Sequence, residues 1–180
     1  MDPLSVHVVI VNWNSGRLLS QCLSSFSAVA ADRIAVARIT VVDNASTDGS
    51  CDALPEVAPP LDLIRNQDNR GFAAACNQGA AGSGADLLLF LNPDTRLLSG
   101  ALERPALYLQ SPSNGAVGIV GIQLIDADGR VARSCAQMPT RAPPPRPSTG
   151  ARITSAAAAF CSRSSTSREQ APFWCWPRRC

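Results

Sequence analysis

Residues 87–98 read LLLFLNPDTRLL. The unbroken apolar run Leu87 to Leu91 fits a strand buried on both faces, where no polar alternation is needed. The run stops at Asn92-Pro93-Asp94-Thr95 and then turns apolar again. A Pro-Asp turn explains that ending locally. A strand terminus that delivers a carboxylate to a divalent cation explains it too, because hard cations take oxygen ligands. The flanking sequence has to decide.

Before it, Val6–Val11 forms a β-branched run with the character of a second doubly buried strand. Asn14-Ser15-Gly16 reads as a turn and helix start, and Leu18, Leu19, Cys22, Leu23 and Phe26 then recur at helical spacing. Ile39–Val42, preceded by Val36, is a further strand. It ends on Asp43-Asn44-Ala45-Ser46-Thr47-Asp48-Gly49, a loop of capping residues. Leu61–Ile64 is a short strand, Asn66–Gly71 a polar loop, and the Ala-rich Phe72–Ala81 a helix. After the opening stretch, a helix is expected from about Gly100 to Gln110, with Pro105 interrupting it or marking a late start. Val117–Ile125 and Arg130–Ala136 flank Asp126-Ala127-Asp128-Gly129, a hairpin signal.

Strands and helices alternate through residue 110, which predicts βαβ units and a mostly parallel α/β sheet flanked by helices. Ligands of such sheets lie beyond the carboxyl ends of the strands. Asn12-Trp13, Asp43-Asn44, Asn66 to Gly71 and Asn92 to Thr95 all follow strands. Four polar clusters far apart in sequence therefore converge on one edge, which favours a site over a set of plain turns. For Asp43, an acceptor for a nucleobase or ribose and an Asx-turn are both open; for Asp48 a helix cap is preferred.

Several chemistries are excluded. No GxGxxG follows the first strand and no GxxxxGK[ST] occurs. There is no GxSxG, and the single histidine, His7, lies inside a strand run, so a Ser-His-Asp hydrolase is not expected. Seven scattered cysteines without a CxxC pair argue against a zinc ribbon, and their odd number against a disulfide scaffold. No signal peptide is apparent and no apolar stretch reaches the ~20 residues of a membrane span. A cytoplasmic setting is the default expectation, at most peripheral at the inner face of the membrane.

All 16 cations are arginine. Residues 1–130 carry 8 Arg against 13 acids, whereas residues 131–180 carry 8 Arg against Glu169 alone. The basic segment lacks interleaved aromatics and any nucleic-acid module, so no nucleic-acid partner is expected.

The motifs VIVNWNSGRLLSQCLSS (9–25), ITVVDNASTDGS (39–50), NQDNRGFAAACNQGA (66–80) and LLLFLNPDT (87–95), in that order and spacing, resemble the family 2 glycosyltransferases, especially their rhamnosyltransferase-like branch. The resemblance runs from about residue 6 to 140. It implies a GT-A (Rossmann-like) fold, here incomplete at the C-terminus. It also implies transfer of a sugar, with inversion, from a nucleotide-diphosphate donor to an acceptor hydroxyl on a glycan or lipid-linked acceptor, with Mg or Mn as divalent metal. By similarity, Asn12 and Trp13 flank the nucleobase, Asp43 binds base or ribose, Arg70 and Gly71 lie beside the donor, and Asn77 supports that loop. Asn92-Pro93-Asp94 resembles the family's Asp-x-Asp position: Asp94 holds the metal, and Asn92 replaces the first carboxylate.

The family continues with a Gly-Ala-Phe strand and later a Glu-Asp pair that supplies the general base inverting transfer needs. Neither is matched here; Glu169 is the only acid after Asp128. Residues 1–140 are therefore read as the nucleotide-sugar-binding half, and 141–180 as a disordered tail rich in Pro, Ser, Arg and Ala. Shifted forward by two nucleotides, the codons of Gln170–Pro177 permit Gly-Ala-Phe-Leu-Val-Leu-Ala, so the tail reads as out of frame. The alternatives to a working transferase are an inactive donor-binding fragment and a non-enzymatic protein with a basic interaction tail.

Overall fold

Val6, Val8 and Ile10 belong to one core cluster, Val9 and Val11 to another, and all five are buried. The strand that carries them is thus covered on both faces, as its unbroken apolar run predicts. The structure is a computed structural model that describes residues 2–29 and 32–131, and the backbone of 159–162. In chain order its elements are β1 (Leu4–Asn12), α1 (Arg17–Ser24), β2 (Ile34–Asp43), β3 (Leu61–Arg65), α2 (Phe72–Ala80), β4 (Leu87–Leu91), α3 (Glu103–Gln110), β5 (Ile119–Gly121) and β6 (Ala159–Ser162).

The sheet order is β3-β2-β1-β4-β6-β5. The first four strands run parallel, and β6 is antiparallel to both β4 and β5. From β1 the chain moves outward to β2 and β3, then returns to place β4 on the other side of β1. This reversal is a topological switch point, where the carboxyl ends of neighbouring strands diverge and leave a crevice.

Leu19, Cys22 and Leu23 of α1 share a core with Leu102, Ala106 and Leu109 around α3. Ala75, Cys76 and Ala80 of α2 join the opposite cluster with Val9, Val11, Val42 and Phe90. Gly79 lets α2 sit close to the sheet: a Cβ there would lie 2.5 Å from Val9 Cγ1 and 2.9 Å from Val42 Cγ2.

Some boundaries differ from those expected. β2 begins at Ile34 because it pairs with β1 from Leu4↔Ile34 onward, with a register irregularity between Val6 and His7. α3 starts at Glu103, beyond a turn in which Gly100 has φ +75°. Pro105 is then the third helical residue, where a missing N–H costs no helical hydrogen bond. The expected hairpin around Asp126–Gly129 is reduced to an Ile125↔Val131 bridge. Asp126 Oδ1 closes that turn by accepting from the N–H groups of Asp128 and Arg130. The remainder of its second arm, 132–136, lies outside the described residues. So does the tail expected to be disordered, apart from Ala159–Ser162, which form β6.

Candidate functional site

β1 and β2 end side by side, with Asn12 opposite Asp43 in register. The Asn12 side chain is fully buried. Its Nδ2 lies 2.8 Å from Ser50 Oγ, 3.0 Å from Ser46 Oγ, 3.1 Å from Asp43 Oδ1 and 3.2 Å from Cys51 Sγ. Two amide protons are shared among four acceptors, while Asn12 Oδ1 accepts from Ser15 Oγ. The group is spent inside the protein. Asp43 is buried as well and also accepts the Ser46 N–H at 3.3 Å.

Asp48 closes an Asx-turn rather than the helix cap expected of it, since no helix begins after this loop. Its carboxylate accepts the N–H of Gly16 at 2.7 Å and that of Ser50 at 3.0 Å, tying the β1–α1 turn to the loop after β2. Hydrogen bonds from Ser50, then from Gly16, hold this carboxyl below its ordinary range. Asn14 completes the tie: its N–H donates to Ser46 Oγ, and its Oδ1 accepts the Thr47 N–H.

At the head of α2, Gly71 has φ +81°, a conformation that glycine adopts without a Cβ penalty. Its N–H donates to Asn69 Oδ1 at 2.9 Å. Asn44 Nδ2 donates to the Gly71 carbonyl at 3.3 Å. Asn66 Nδ2 donates to Asn44 Oδ1 and to Gln78 Oε1, and Gln78 Nε2 returns a bond to Asn66 Oδ1.

Beyond β4 the expected Pro-Asp turn is present. Thr95 donates to the Asn92 carbonyl through its N–H at 3.3 Å and its Oγ1 at 2.7 Å. The turn leaves Asp94 exposed and Asn92 half-buried.

A cleft of about 400 Å³ opens at the switch point between β1 and β4. Trp13, Ser15 and Leu18 line it from the β1–α1 side, Asn44 from the end of β2, Asn69 and Phe72 from the head of α2, and Asn92, Pro93 and Asp94 from the end of β4. Trp13 and Phe72 are 59% and 48% exposed, so two aromatic surfaces stand on a wall that mixes Leu18 and Pro93 with polar groups. Asp43 lines a separate cavity of about 120 Å³ with Ser46, Ser50 and Arg65.

Of the residues expected at the site, Trp13, Asn92 and Asp94 therefore line one cleft. Asn12 stands behind it, and Asp43 faces the smaller cavity. Gly71 takes part through its carbonyl. Arg70 is exposed and lines neither cavity. Asn77 lies on α2 with its Oδ1 buried and without a hydrogen-bond partner. Leu18, Phe72 and Gln78 are contributions that sequence reasoning missed. The helical spacing puts Leu18 on the apolar face of α1, but it is 45% exposed and turns to the cleft.

Among the described residues no three His, Cys, Asp or Glu side chains come together. A lone exposed carboxylate beside an amide fits a cation such as Mg²⁺, which keeps most of its ligands as water and phosphate oxygens. The buried thiols are unsuited to nucleophilic work: burial pushes Cys22 and Cys76 up to about 12 and Cys51 to about 11. His7 is a packed strand residue whose Nε2 is 2.8 Å from Thr40 Oγ1, and it lies outside the cleft. No helix among the described residues is long and apolar enough to cross a membrane.

The sequence profile described as Glycosyl transferase family 2 matches residues 7–175. An N-acetylglucosaminyl-diphospho-decaprenol L-rhamnosyltransferase of Mycobacterium tuberculosis is 28% identical over 144 residues, covering 74% of this chain and 45% of the relative. An uncharacterized glycosyltransferase of Nostoc sp. is 30% identical over 131 residues, covering 71% of this chain and 39% of the relative. The chain thus spans less than half the length of these curated relatives. Among solved structures, the mannosyltransferase PcManGT from Pyrobaculum calidifontis, in complex with GDP-Man and Mn²⁺, superposes with a TM-score of 0.53 at 23% identity, over 66% of this chain and 35% of its own. Staphylococcus aureus TarS 1–349 with UDP-GlcNAc gives 0.50 at 16% identity, over 66% and 33%. At these identities the structural likeness speaks to the fold, which is GT-A-like.

Proposed function

The chain belongs to glycosyl transferase family 2, and from that premise we propose that its switch-point cleft binds a nucleotide-diphosphate sugar for transfer, with inversion, to an acceptor hydroxyl. The observation that carries this reading is that Trp13 and Asp94 flank one cleft of about 400 Å³. An aromatic ring offers a face to a nucleobase, and a carboxylate on the same cleft suits a cation bound to phosphates.

The remaining roles follow from the family resemblance. Asp43, held by Asn12, accepts from the base or ribose. Arg70 and the first turn of α2 flank the diphosphate. The unpaired N–H groups of a helix start favour an anion, and Phe72, the first residue of α2, is on the cleft wall. Asn92 and Asp94 would hold Mg or Mn, which when bound neutralises the diphosphate leaving group. The acceptor is a glycan or lipid-linked hydroxyl compound. The reading puts the chain in the cytoplasm, or at the inner face of the membrane where the acceptor is lipid-linked.

The test is thermal protection of the full chain by UDP, GDP and dTDP, each with and without Mn²⁺, since a ligand bound only to the folded state raises Tm. A metal-dependent rise with at least one nucleotide is expected; no rise with any of them sinks the reading. A second reading is favoured by Glu169 being the only acid after Asp128: the chain holds the donor but transfers nothing. Turnover of a nucleotide sugar onto an acceptor by the purified chain would exclude it.

A further inference from the structure

The carbonyl of Gly71 can only accept a hydrogen bond. It already takes the Ala75 N–H at 3.2 Å, which fixes it in the first turn of α2. The Asn44 side-chain atom 3.3 Å from it is therefore Nδ2, the donor. That choice turns Asn44 Oδ1 toward Asn66, whose Nδ2 meets it at 2.9 Å. The second Asn66 N–H goes to Gln78 Oε1 at 3.0 Å, and Gln78 Nε2 returns to Asn66 Oδ1 at 3.0 Å. Reversing any one of the three amides sets oxygen against oxygen or N–H against N–H at the next link. The relay has a single self-consistent orientation, anchored at Gly71 and closed by the reciprocal Asn66–Gln78 pair.

Asn66 has spent both of its protons. Asn44 has spent one, and its other N–H has no acceptor among the described residues. Asn44 is 2% exposed, yet it contributes to the wall of the cleft. A buried donor without a partner is costly, and a ligand oxygen placed against it removes that cost.

We propose that Gln78 and Asn66 are positioning residues that lock the Asn44 amide with an N–H toward the cleft, so that Asn44 selects an oxygen acceptor on the ligand. The relay stands on the geometry alone; only the identity of the ligand rests on the nucleotide-sugar reading. The acceptor is a phosphate oxygen or a nucleobase carbonyl, which present the same chemistry to an amide donor. Gln78 itself does not touch the cleft.

The first arm of the test needs no ligand. In the ¹⁵N-labelled full chain, Gln78→Met keeps the length of the side chain and removes both of its amide bonds. The side-chain amide signals of Asn66 and Asn44 should shift, with the main-chain signals of β1 and β4 in place. An unmoved Asn44 amide in the folded variant overturns the proposal. Should Gln78→Met fail to fold, Gln78→Glu, which keeps only the acceptor for Asn66, carries the same measurement.

The second arm uses the tightest binder of UDP, GDP and dTDP, with Mn²⁺. Affinity should fall about tenfold in Gln78→Met, on the scale of one well-placed hydrogen bond. It should fall no further when Gln78→Met is added to Asn44→Ala. Equal losses in both backgrounds would mean that Gln78 acts through packing alone and would overturn the relay. Pyrophosphate in place of the nucleotide then locates the acceptor: a matching loss assigns it to phosphate, and a loss seen only with the nucleotide assigns it to the base. If no nucleotide binds the parent chain, the functional reading fails while the amide signals still decide the positioning role.

Discussion

Asn12 Nδ2 and Asp43 Oδ1 lie 3.1 Å apart at the adjoining ends of two parallel strands, both side chains buried. The contact joins residues 31 apart in sequence, and it leaves Asp43 with a partner in a place where a lone carboxylate would be costly. The first prediction concerns that bond. Asn12→Leu strips the donor from Asp43 and from the Ser46, Ser50 and Cys51 cluster at once. Urea unfolding should show a loss of about 2–3 kcal/mol. A loss below about 0.5 kcal/mol would mean that water replaces the amide.

Asp94 behaves oppositely because it is exposed at the cleft. Asp94→Asn should change folding stability by no more than about 0.5 kcal/mol, as surface substitutions do. Protection by a nucleoside diphosphate should lose its dependence on Mn²⁺. Calorimetric titration of the variant with and without the metal checks this, and an unchanged metal effect would remove Asp94 from the site.

Gly79 is decided by packing rather than by backbone freedom. The methyl of Gly79→Ala would meet Val9 Cγ1 and Val42 Cγ2. Overpacking of this kind should destabilise the protein by about 1–3 kcal/mol in denaturant titration. It should also displace α2, and therefore weaken nucleotide binding through Gln78. Full stability in the variant would show that α2 lifts from the sheet freely.

The pH dependence follows from His7. Burial, helped by the Arg38 charge and opposed by that of Asp62, lowers its pKa to about 4. The unfolded chain then binds a proton that the folded chain does not between about pH 6.5 and 4, so stability rises with pH in that window. The contribution is fully present above about pH 6.5 and is lost as the pH falls through 4. Chemical denaturation at a series of pH values should show this slope, and His7→Met should flatten it.

The tail yields a prediction about nucleic acid sequence. Trp174 and Trp176 have one codon each, so the bases spanning Phe173 to Pro177 must spell Leu-Val-Leu-Ala when read two nucleotides forward. We expect Gly-Ala-Phe immediately before them in that frame, and a Glu-Asp pair downstream. Sequencing the coding strand beyond the Thr140 codon decides it, and the absence of both features sinks the frame-shift reading.

The sequence by itself determined the doubly covered strands: Val6–Val11 and Leu87–Leu91 lack sustained polar alternation and read as strands buried on both faces. It did not determine the strand order, and the helix expected between every pair of strands is missing between β2 and β3, whose connection over residues 44–60 holds no α-helix. It also determined which ends carry polar groups, because Asn12, Asp43, Asn66 and Asn92 each stand at or just beyond a strand end. What it could not give is the direction of side chains that leave those ends. Asn77 and Gln78 are neighbours with the same functional group, and only the phase of α2 turns Gln78 to Asn66 while Asn77 buries an unpartnered Oδ1. Leu18 looks like core by its spacing, yet in the folded chain it is 45% exposed and lines the cleft. Asp43 and Asp94 look alike as carboxylates after strands; one is held beneath a buried amide and the other stands exposed, because Asn12 lies opposite Asp43 in the sheet register while a Pro-Asp turn lifts Asp94 clear. Periodicity is a local property that a sequence carries; the partner across a sheet is set by tertiary register, and in this protein that register separates the polar residues held beneath the cleft from those exposed in it.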